Sequence, residues 1–271
     1  MINKIFEIIK HRYYKYLFKF KKKVKKFNRI STIDYKRKLL IACDNLRELE
    51  TRANSCKKEP ELINWLEINN NKEKQILWDI GSNVGAYSLV AAAMGYKVLS
   101  FEPAYQNYFK LHENISLNKL DEQIEAFCIS FGDKLQTGNF NIFETSFGSS
   151  KGNYNADNYY QVNRADYFQN LKKICQKKTL VFSIDSFIKI FNLPEPSLIK
   201  IDVDGGEFEI LKGAATLLEH GKNLKSLLVE FDEDEYSINE LEAFLKKLNW
   251  QIVSKHNRGG AGVNNLIINK I

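Results

Sequence analysis

A short apolar run, Gln75 to Ile80, breaks at Gly81-Ser82-Asn83-Val84-Gly85 and resumes as a longer apolar stretch, Tyr87 to Met94, that stops at Gly95. The first run has the length of a buried strand and the second that of a helix. A strand apolar on both sides, feeding a helix through a glycine turn, commits a chain to a mainly parallel sheet covered on both faces by helices. The rest of the sequence keeps that rhythm. Lys97 to Phe101 reads as a second strand, and Pro103 opens a helix to about Leu117. Ile124 to Ser130 reads as a third strand and Leu198 to Ile201 as a fourth. A helix with Phe208, Leu211, Ala215 and Leu218 on one face follows, stopped by Gly221, and Ser226 to Phe231 is a fifth strand. Ser237-x-x-Glu240 is a capping box for a helix that points Leu241, Phe244, Leu245 and Leu248 inward. Trp250 to Ser254 and Asn265 to Asn269 have no helix between them and are expected to pair as an antiparallel hairpin.

One stretch interrupts the alternation. Asp133 to Lys178 is long, polar and rich in Asn, Tyr and Gly, where a helix would be expected. Loops of that length within a domain are functional or disordered. A short hairpin is expected around Phe140 to Phe143, a further short strand from Thr179 to Ile184, and a helix cap at Ser183-Ile184-Asp185. Upstream, Ser31 or Thr32 is placed to cap a helix reaching about Cys56, and Pro60 with Asn69-Asn70-Asn71 marks a new region. The expected organisation is a basic amphipathic helix over 1–30, a helical extension over 31–73, and a catalytic domain over 74–271 with 133–178 as its acceptor-side insertion.

The net charge of +7 is concentrated at one end. Residues 1–30 hold eleven Lys and Arg against the single acid Glu7, so the remainder is slightly acidic. Ile2, Ile5, Ile9, Tyr13, Leu17, Phe20, Val24 and Phe27 recur at helical spacing within that basic segment. Such a helix can lie on an anionic membrane, dock on the domain, or meet nucleic acid. No run approaches the ~20 apolar residues that span a bilayer. The four cysteines lack CxxC spacing, so neither a zinc site nor a disulfide framework is indicated and no metal is assigned. A cytoplasmic protein, peripheral at the inner membrane surface if the N-terminus binds lipid, is expected.

The chemistry is carried by three blocks. In Asp79-Ile80-Gly81-Ser82-Asn83-Val84-Gly85-Ala86-Tyr87-Ser88, Gly81 permits a tight turn and Gly85 a close approach at the helix start. A dinucleotide needs G-x-G-x-x-G to seat its pyrophosphate, which this turn does not offer. S-adenosylmethionine has no phosphate, and a carboxylate such as Asp79 at the end of the first strand suits its ammonium group. Glu102, with Pro103 at the end of the second strand, can accept both hydroxyls of a ribose. The adenine is expected beyond the third strand, near Ser130 and Phe131. In Ile199-Lys200-Ile201-Asp202-Val203-Asp204-Gly205-Gly206-Glu207, carboxylates cluster beside the expected methyl donor. An alcohol must lose a proton to accept a methyl group, and a carboxylate can take it. Asp202 is the first candidate; Glu207 and Glu230 are alternatives that could position the acceptor. Glu207 and Glu209 are also explained as acids complementing a helix N-terminus. His256, after the sixth strand, is a weaker candidate to face the acceptor.

Taken together, the Asp79–Ser88 block, Phe101-Glu102-Pro103 with Asn107 and Asn114, and Ile199 to Ala214 resemble the FkbM family of methyltransferases. The resemblance runs from about Leu77 to the C-terminus. I-K-I-D-V-[DE]-G-x-E-x-x-x-L-x-G-A is its most specific part, with Asp204 where Glu is more usual. It implies a Rossmann-like, seven-stranded fold, S-adenosylmethionine as cofactor, and O-methylation of a sugar hydroxyl on a glycan, glycolipid or natural product. Gly81, Ser82, Asn83, Gly85, Tyr87, Ser88, Pro103 and Asn107 join Asp79, Glu102 and Asp202 as expected cofactor-side residues. Two other readings stand beside this one: a nucleic-acid methyltransferase guided by the lysine tail, and a non-catalytic, membrane-associated module of the same fold. The acidic Asp202-Val203-Asp204 turn would repel phosphate, and the intact glycine turn speaks against lost chemistry.

Overall fold

In a computed structural model of the chain, residues 12, 29–71, 75–142, 147–148, 152–155, 174–258 and 262–271 are described, with 152–155 as backbone alone. The basic stripe expected over 1–30 falls outside them, apart from Arg12, Arg29 and Ile30. Among the described residues no helix is long and apolar enough to cross a membrane.

From Ile30 the described residues form a two-stranded hairpin, β1 (Ile30–Thr32) and β2 (Leu40–Ala42), followed by a π-helical turn, Glu48–Arg52, and helices Ser55–Lys58 and Pro60–Asn69. The single helix expected from Ser31 or Thr32 to Cys56 is therefore not formed. The hairpin is held by side chains far away in sequence. Asn114 accepts the backbone N–H of Ala42 at 2.8 Å, and Asn118 clasps both N–H and C=O of Leu40 at 2.8 and 2.7 Å. The Asp34 carboxylate accepts the N–H groups of Cys56 and Lys57, which opens the short helix at Ser55.

The central sheet contains β3 (Ile76–Ile80), β4 (Lys97–Phe101), β5 (Ile124–Phe127), β10 (Leu198–Ile201), β11 (Ser226–Asp232), β12 (Trp250–Asn257) and β13 (Val263–Lys270). Its order is β12-β13-β11-β10-β3-β4-β5, with β13 antiparallel to both neighbours and the other pairs parallel. This is the expected Rossmann-like, seven-stranded sheet with its C-terminal antiparallel hairpin. The strands alternate between two cores. Trp78, Ile80, Phe101, Ile199, Ile201 and Val229 face one side, against Phe187, Phe208, Leu218 and Leu241. Leu77, Val98, Leu198 and Leu228 face the other, against Trp65, Leu66, Leu89, Val90 and Leu111. Trp65 and Leu66 belong to the N-terminal extension, so that segment completes the second core.

The expected third strand, Ile124 to Ser130, splits. It leaves the central sheet after Phe127, and β6 (Ser130–Phe131) pairs instead with β9 (Cys175–Phe182). An edge strand has one free side, and here the insertion supplies the new partner. β7 (Gln136–Ile142) pairs antiparallel with β9 and with β8 (Gly152–Asn155), making a second sheet of order β6-β9-β7-β8. The short hairpin expected around Phe140 to Phe143 is thus the middle of a larger sheet. Ser183 caps the helix Ile184–Phe191 by accepting the Ser186 N–H at 3.1 Å, as its sequence suggests.

Candidate active site

At the carboxyl ends of β3, β4 and β10 lies a cleft of about 920 Å³, which shares Gly81, Pro103, Phe140 and Val203 as lining with a second cavity of about 610 Å³. Open parallel sheets bind ligands at this edge. Of the residues singled out from the sequence, Gly81, Ser82, Asn83, Tyr87, Glu102, Pro103, Asn107, Asp202 and Glu230 line the first cavity. Ser130 and Phe131 line the second, beside Ile129 and Ile210.

Gly81 has φ +78°, and a Cβ there would lie 1.7 Å from the backbone carbonyl oxygen of Asp202. The collision it avoids is therefore with the neighbouring strand's exit, which brings Asp202 hard against the turn. Gly85 (φ +86°) makes room for Leu111 of the helix Tyr105–Leu117, whose Cδ1 would stand 2.3 Å from an added Cβ. Glu102 is buried; its two oxygens accept the backbone N–H groups of Asn83 and Ala104, both at 2.8 Å. Burial pushes its carboxyl up to about 7, against the pull of these N–H groups and of Arg52. Each oxygen keeps a lone pair for a further donor, so the residue fits a vicinal diol. The second cavity, with Phe101, Phe131, Ile129 and Ile210, offers apolar walls for a flat ring.

Asp79 was expected to meet a ligand's ammonium group, and it does not line either cavity. One oxygen lies 3.0 Å from Lys200 Nζ and the other accepts Ser88 Oγ at 2.5 Å. Ser88 in turn accepts Ser100 Oγ at 2.8 Å. Asp79, Ser88 and Gly85 thus build the support behind the cleft wall. Lys200 itself lines the cleft and reaches Asp202 at 3.4 Å. Burial opposes the charge on Asp202, but Lys200, Arg258, Lys58 and Arg52 outweigh it and hold its carboxyl below the ordinary range.

The alternative carboxylates separate. Glu207 is buried and its Oε1 accepts the N–H groups of Gly205 at 2.9 Å and Val203 at 3.4 Å, so it shapes the turn after β10 and lines neither cavity. Glu230 faces the cleft, 3.3 Å from Arg258 Nε. Burial and the nearby Asp202 push Glu230 up to about 9. His256 lines neither cavity; its ring contacts Ser254 at 3.2 Å. Among the described residues no group of three or more His, Cys, Asp or Glu is arranged to hold a metal ion.

Sequence reasoning missed Arg52, Lys58, Lys200 and Arg258. Lys200 had a signal, a lysine inside a strand of four fully buried residues, which must find a counter-charge. The others had none. Arg52 and Lys58 come from the N-terminal extension, and Arg258 reaches across to Glu59 at 2.6 Å. Tyr87 Oη donates to the carbonyl of Ser55 at 3.1 Å, tying the extension to the glycine turn. The insertion joins the same rim: Asn107 accepts the Gly148 N–H at 3.0 Å, and Asn45 Nδ2 donates to the Phe147 carbonyl at 2.9 Å.

This geometry can be set beside known proteins. A curated hexuronic acid methyltransferase, AglP of Haloferax volcanii, is 25% identical over 169 residues, which is 62% of this chain and 61% of that protein. The chain thus spans under two-thirds of its relative's length. Among solved structures, an FkbM methyltransferase from Methylobacillus flagellatus KT is similar over 72% of this chain and 43% of that one, with 16% identity and a TM-score of 0.46. Magnesium protoporphyrin IX methyltransferase from Synechocystis PCC 6803, with bound S-adenosylmethionine, covers 80% of each chain at 10% identity and a TM-score of 0.47. The sequence profile of the FkbM methyltransferase domain matches residues 79–252, from Asp79 at the end of β3 to the start of β12. Spanning both walls of the cleft and well over half of the sequence, that match makes the chain a member of the FkbM family of S-adenosylmethionine-dependent methyltransferases.

Proposed function

We propose that the chain methylates a hydroxyl group of a sugar, carried on a glycan, glycolipid or natural product, with Asp202 as proton acceptor. The observation that carries this reading is the placement of Asp202. It shares one cleft with Glu102, and cations hold it in the ionised form. The similarity to a relative named for hexuronic acid methylation supports a carbohydrate acceptor.

S-adenosylmethionine, when bound, supplies a methyl group on a positively charged sulfur that leaves as a neutral thioether. Glu102 would accept hydrogen bonds from its ribose, and the apolar cavity lined by Phe131 and Ile210 would take its adenine. Asp202 would receive the acceptor's hydroxyl proton as the hydroxyl oxygen takes the methyl group, with the electron pair of the broken S–C bond left on sulfur. A carboxylate held below the ordinary range is a modest base, suited to taking a proton late, once the O–C bond is forming. Glu230, pushed up to about 9, keeps its own proton near neutral pH and can donate a hydrogen bond to the acceptor.

The test is methyl transfer from labelled donor to a panel of glycosides. Asp202→Ala should lose about two to four orders of magnitude in turnover, the range general-base groups contribute. Undiminished turnover in that variant would remove Asp202 as the base. Peripheral membrane contact through 1–30 belongs to the same proposal. Binding of the full chain to vesicles containing anionic lipid, lost when Lys21, Lys22, Lys23, Lys25 and Lys26 are replaced by Gln, would support it.

A further inference from the structure

Exposed apolar side chains gather beside the cleft. Tyr105 and Phe109 stand one turn apart on the outer face of the helix Tyr105–Leu117, with Phe109 64% exposed. That helix begins just past β4, so its first turns border the sheet's carboxyl edge. Lys177 Nζ lies 6.0 Å from the centre of the Tyr105 ring and 5.8 Å from that of Phe140, which lines the cleft. Leu46, 70% exposed, and the exposed Leu49 reach the same rim from the N-terminal extension. Asp44, two residues before Leu46, pairs with Lys110, the neighbour of Phe109, and Arg52, three residues after Leu49, lines the cleft. Single apolar side chains on a surface need no explanation, but four large ones along one rim mark a place of contact.

Charge says with what. Lys19, Lys21, Lys22, Lys23, Lys25, Lys26 and Arg29 fall within eleven residues that contain no acid. Residues 19–28 lie outside the described ones, but Arg29 is held at this rim by Asp44 at 2.6 Å and by Glu113 at 3.1 Å, one turn on from Phe109. Ten residues reach at most about 35 Å, so the six lysines stay within that distance of the rim. On the two segments that carry the apolar side chains, 44–50 and 105–117, the acids are Asp44, Glu48, Glu50 and Glu113. Asp44 and Glu113 pair with Arg29 and Lys110, Glu48 is buried, and Glu50 is exposed. Six lysines and four apolar side chains beside one exposed acid suit a bilayer interface, where cations meet anionic headgroups and apolar groups enter between them. Nucleic acid would satisfy the lysines and leave the apolar side chains in water.

We propose that Leu46, Leu49, Tyr105 and Phe109 form a membrane-binding face that enters the headgroup region of an anionic bilayer and holds the rim of the cleft against it. This rests on the peripheral contact proposed above for 1–30 and deepens it. The lysines draw the protein to the surface, and the folded domain sets which of its sides touches.

The experiment places a tryptophan reporter at three exposed positions of the full chain: Leu46→Trp, Phe109→Trp and, as a control, Ile68→Trp. Ile68 is 73% exposed near the end of the helix Pro60–Asn69, where Asn70 donates to the Met94 carbonyl at the opposite edge of the sheet. The native Trp65, Trp78 and Trp250 are buried, so quenching by lipid reports the added ring. Each variant is mixed with vesicles of equal parts phosphatidylcholine and phosphatidylglycerol, with and without bromine on the acyl chains. Brominated lipid should quench the reporters at 46 and 109 and spare the one at 68. Leu46→Ser combined with Phe109→Ser should weaken partitioning about tenfold or more at unchanged net charge, the scale of two apolar side chains leaving lipid. No binding to these vesicles overturns the proposal together with the contact of 1–30. Binding with the reporters at 46 and 109 unquenched, or quenched no more than the one at 68, overturns the folded face and leaves the contact of 1–30 standing. So does unchanged partitioning of the double Ser variant. Phe109→Trp emission already shifted to the blue before lipid is added would show another part of the chain covering the rim, and would overturn it as well.

Discussion

Lys200 and Asp79 face each other in register across the parallel pair β10–β3, with Nζ and Oδ1 3.0 Å apart and both side chains almost wholly buried. Burial pulls the pKa of Lys200 down, yet Asp79 and Asp202 more than offset it and hold it above the ordinary lysine value. Breaking a buried pair by removing one partner leaves an uncompensated charge. Lys200→Met should therefore destabilise the protein by about 3–5 kcal/mol in urea denaturation. The double variant Lys200→Met, Asp79→Asn should cost less than the sum of the two single changes, because no lone charge is left behind. Additive costs would show that the pair is not coupled.

Gly81 and Gly95 both have positive φ, but only one is crowded. A Cβ at Gly95 meets nothing within 4 Å, whereas at Gly81 it meets the Asp202 backbone. Gly95→Ala should cost about 1 kcal/mol for its left-handed backbone. Gly81→Ala adds a backbone collision that cannot relax by a rotamer change, and should cost more than about 2 kcal/mol and weaken S-adenosylhomocysteine binding. Chemical denaturation of both variants compares the two directly; equal costs would count against the tight approach of β3 and β10.

Ligand affinity should depend on the ionisation of Glu102. Its carboxyl sits at about 7, and only the ionised form can accept a hydrogen bond at every lone pair. Raising the pH through 7 therefore tightens binding of S-adenosylhomocysteine, and binding in turn draws the Glu102 carboxyl downward. Calorimetry at pH 6, 7 and 8 should show this rise. Glu102→Gln should bind about tenfold or more weakly and lose the pH dependence. A pH-independent affinity in the unaltered protein would contradict this account of the ribose contact.

Glu230 makes stability fall with pH. Its carboxyl is raised to about 9 in the folded chain, while an unfolded glutamate titrates near 4.3, so between those values the folded state holds one more proton. Stability linked to this group is greatest at the acid end and is lost as pH rises toward 9, by up to about 1.4 kcal/mol per pH unit. Between pH 7 and 9, above the Glu102 transition, Glu230→Gln should flatten the decline in melting temperature and be the more stable protein at pH 9. Parallel profiles for the two proteins would rule this out.

The strand–turn–helix joint at Gly81 and the helix start at Ser237 were legible because local spacing dictates them, although Ser237 makes no side-chain capping bond and the helix expected through Phe208, Leu211, Ala215 and Leu218 breaks in two at Gly213. So were the carboxylates at strand ends, since a strand's exit fixes where its last residue stands. Local pattern alone was enough to specify the seven-stranded sheet and which edge of it carries the cleft. What it could not determine was which residues meet across that edge. Asp79 looked like a ligand contact until the β3–β10 register set Lys200 against it, and Ser31 looked like a helix cap until Asn114 and Asn118 satisfied the backbone of β2. Arg52, Lys58 and Arg258 enter the cleft from segments far from the motifs in sequence, and only folding brings Arg258 to Glu59 and Glu230 and sets all three beside Asp202 in one cleft. Spacing along the chain encodes hydrogen bonds and packing between near neighbours, whereas the pairing of distant charges depends on strand register and loop docking, which are fixed when the whole chain packs.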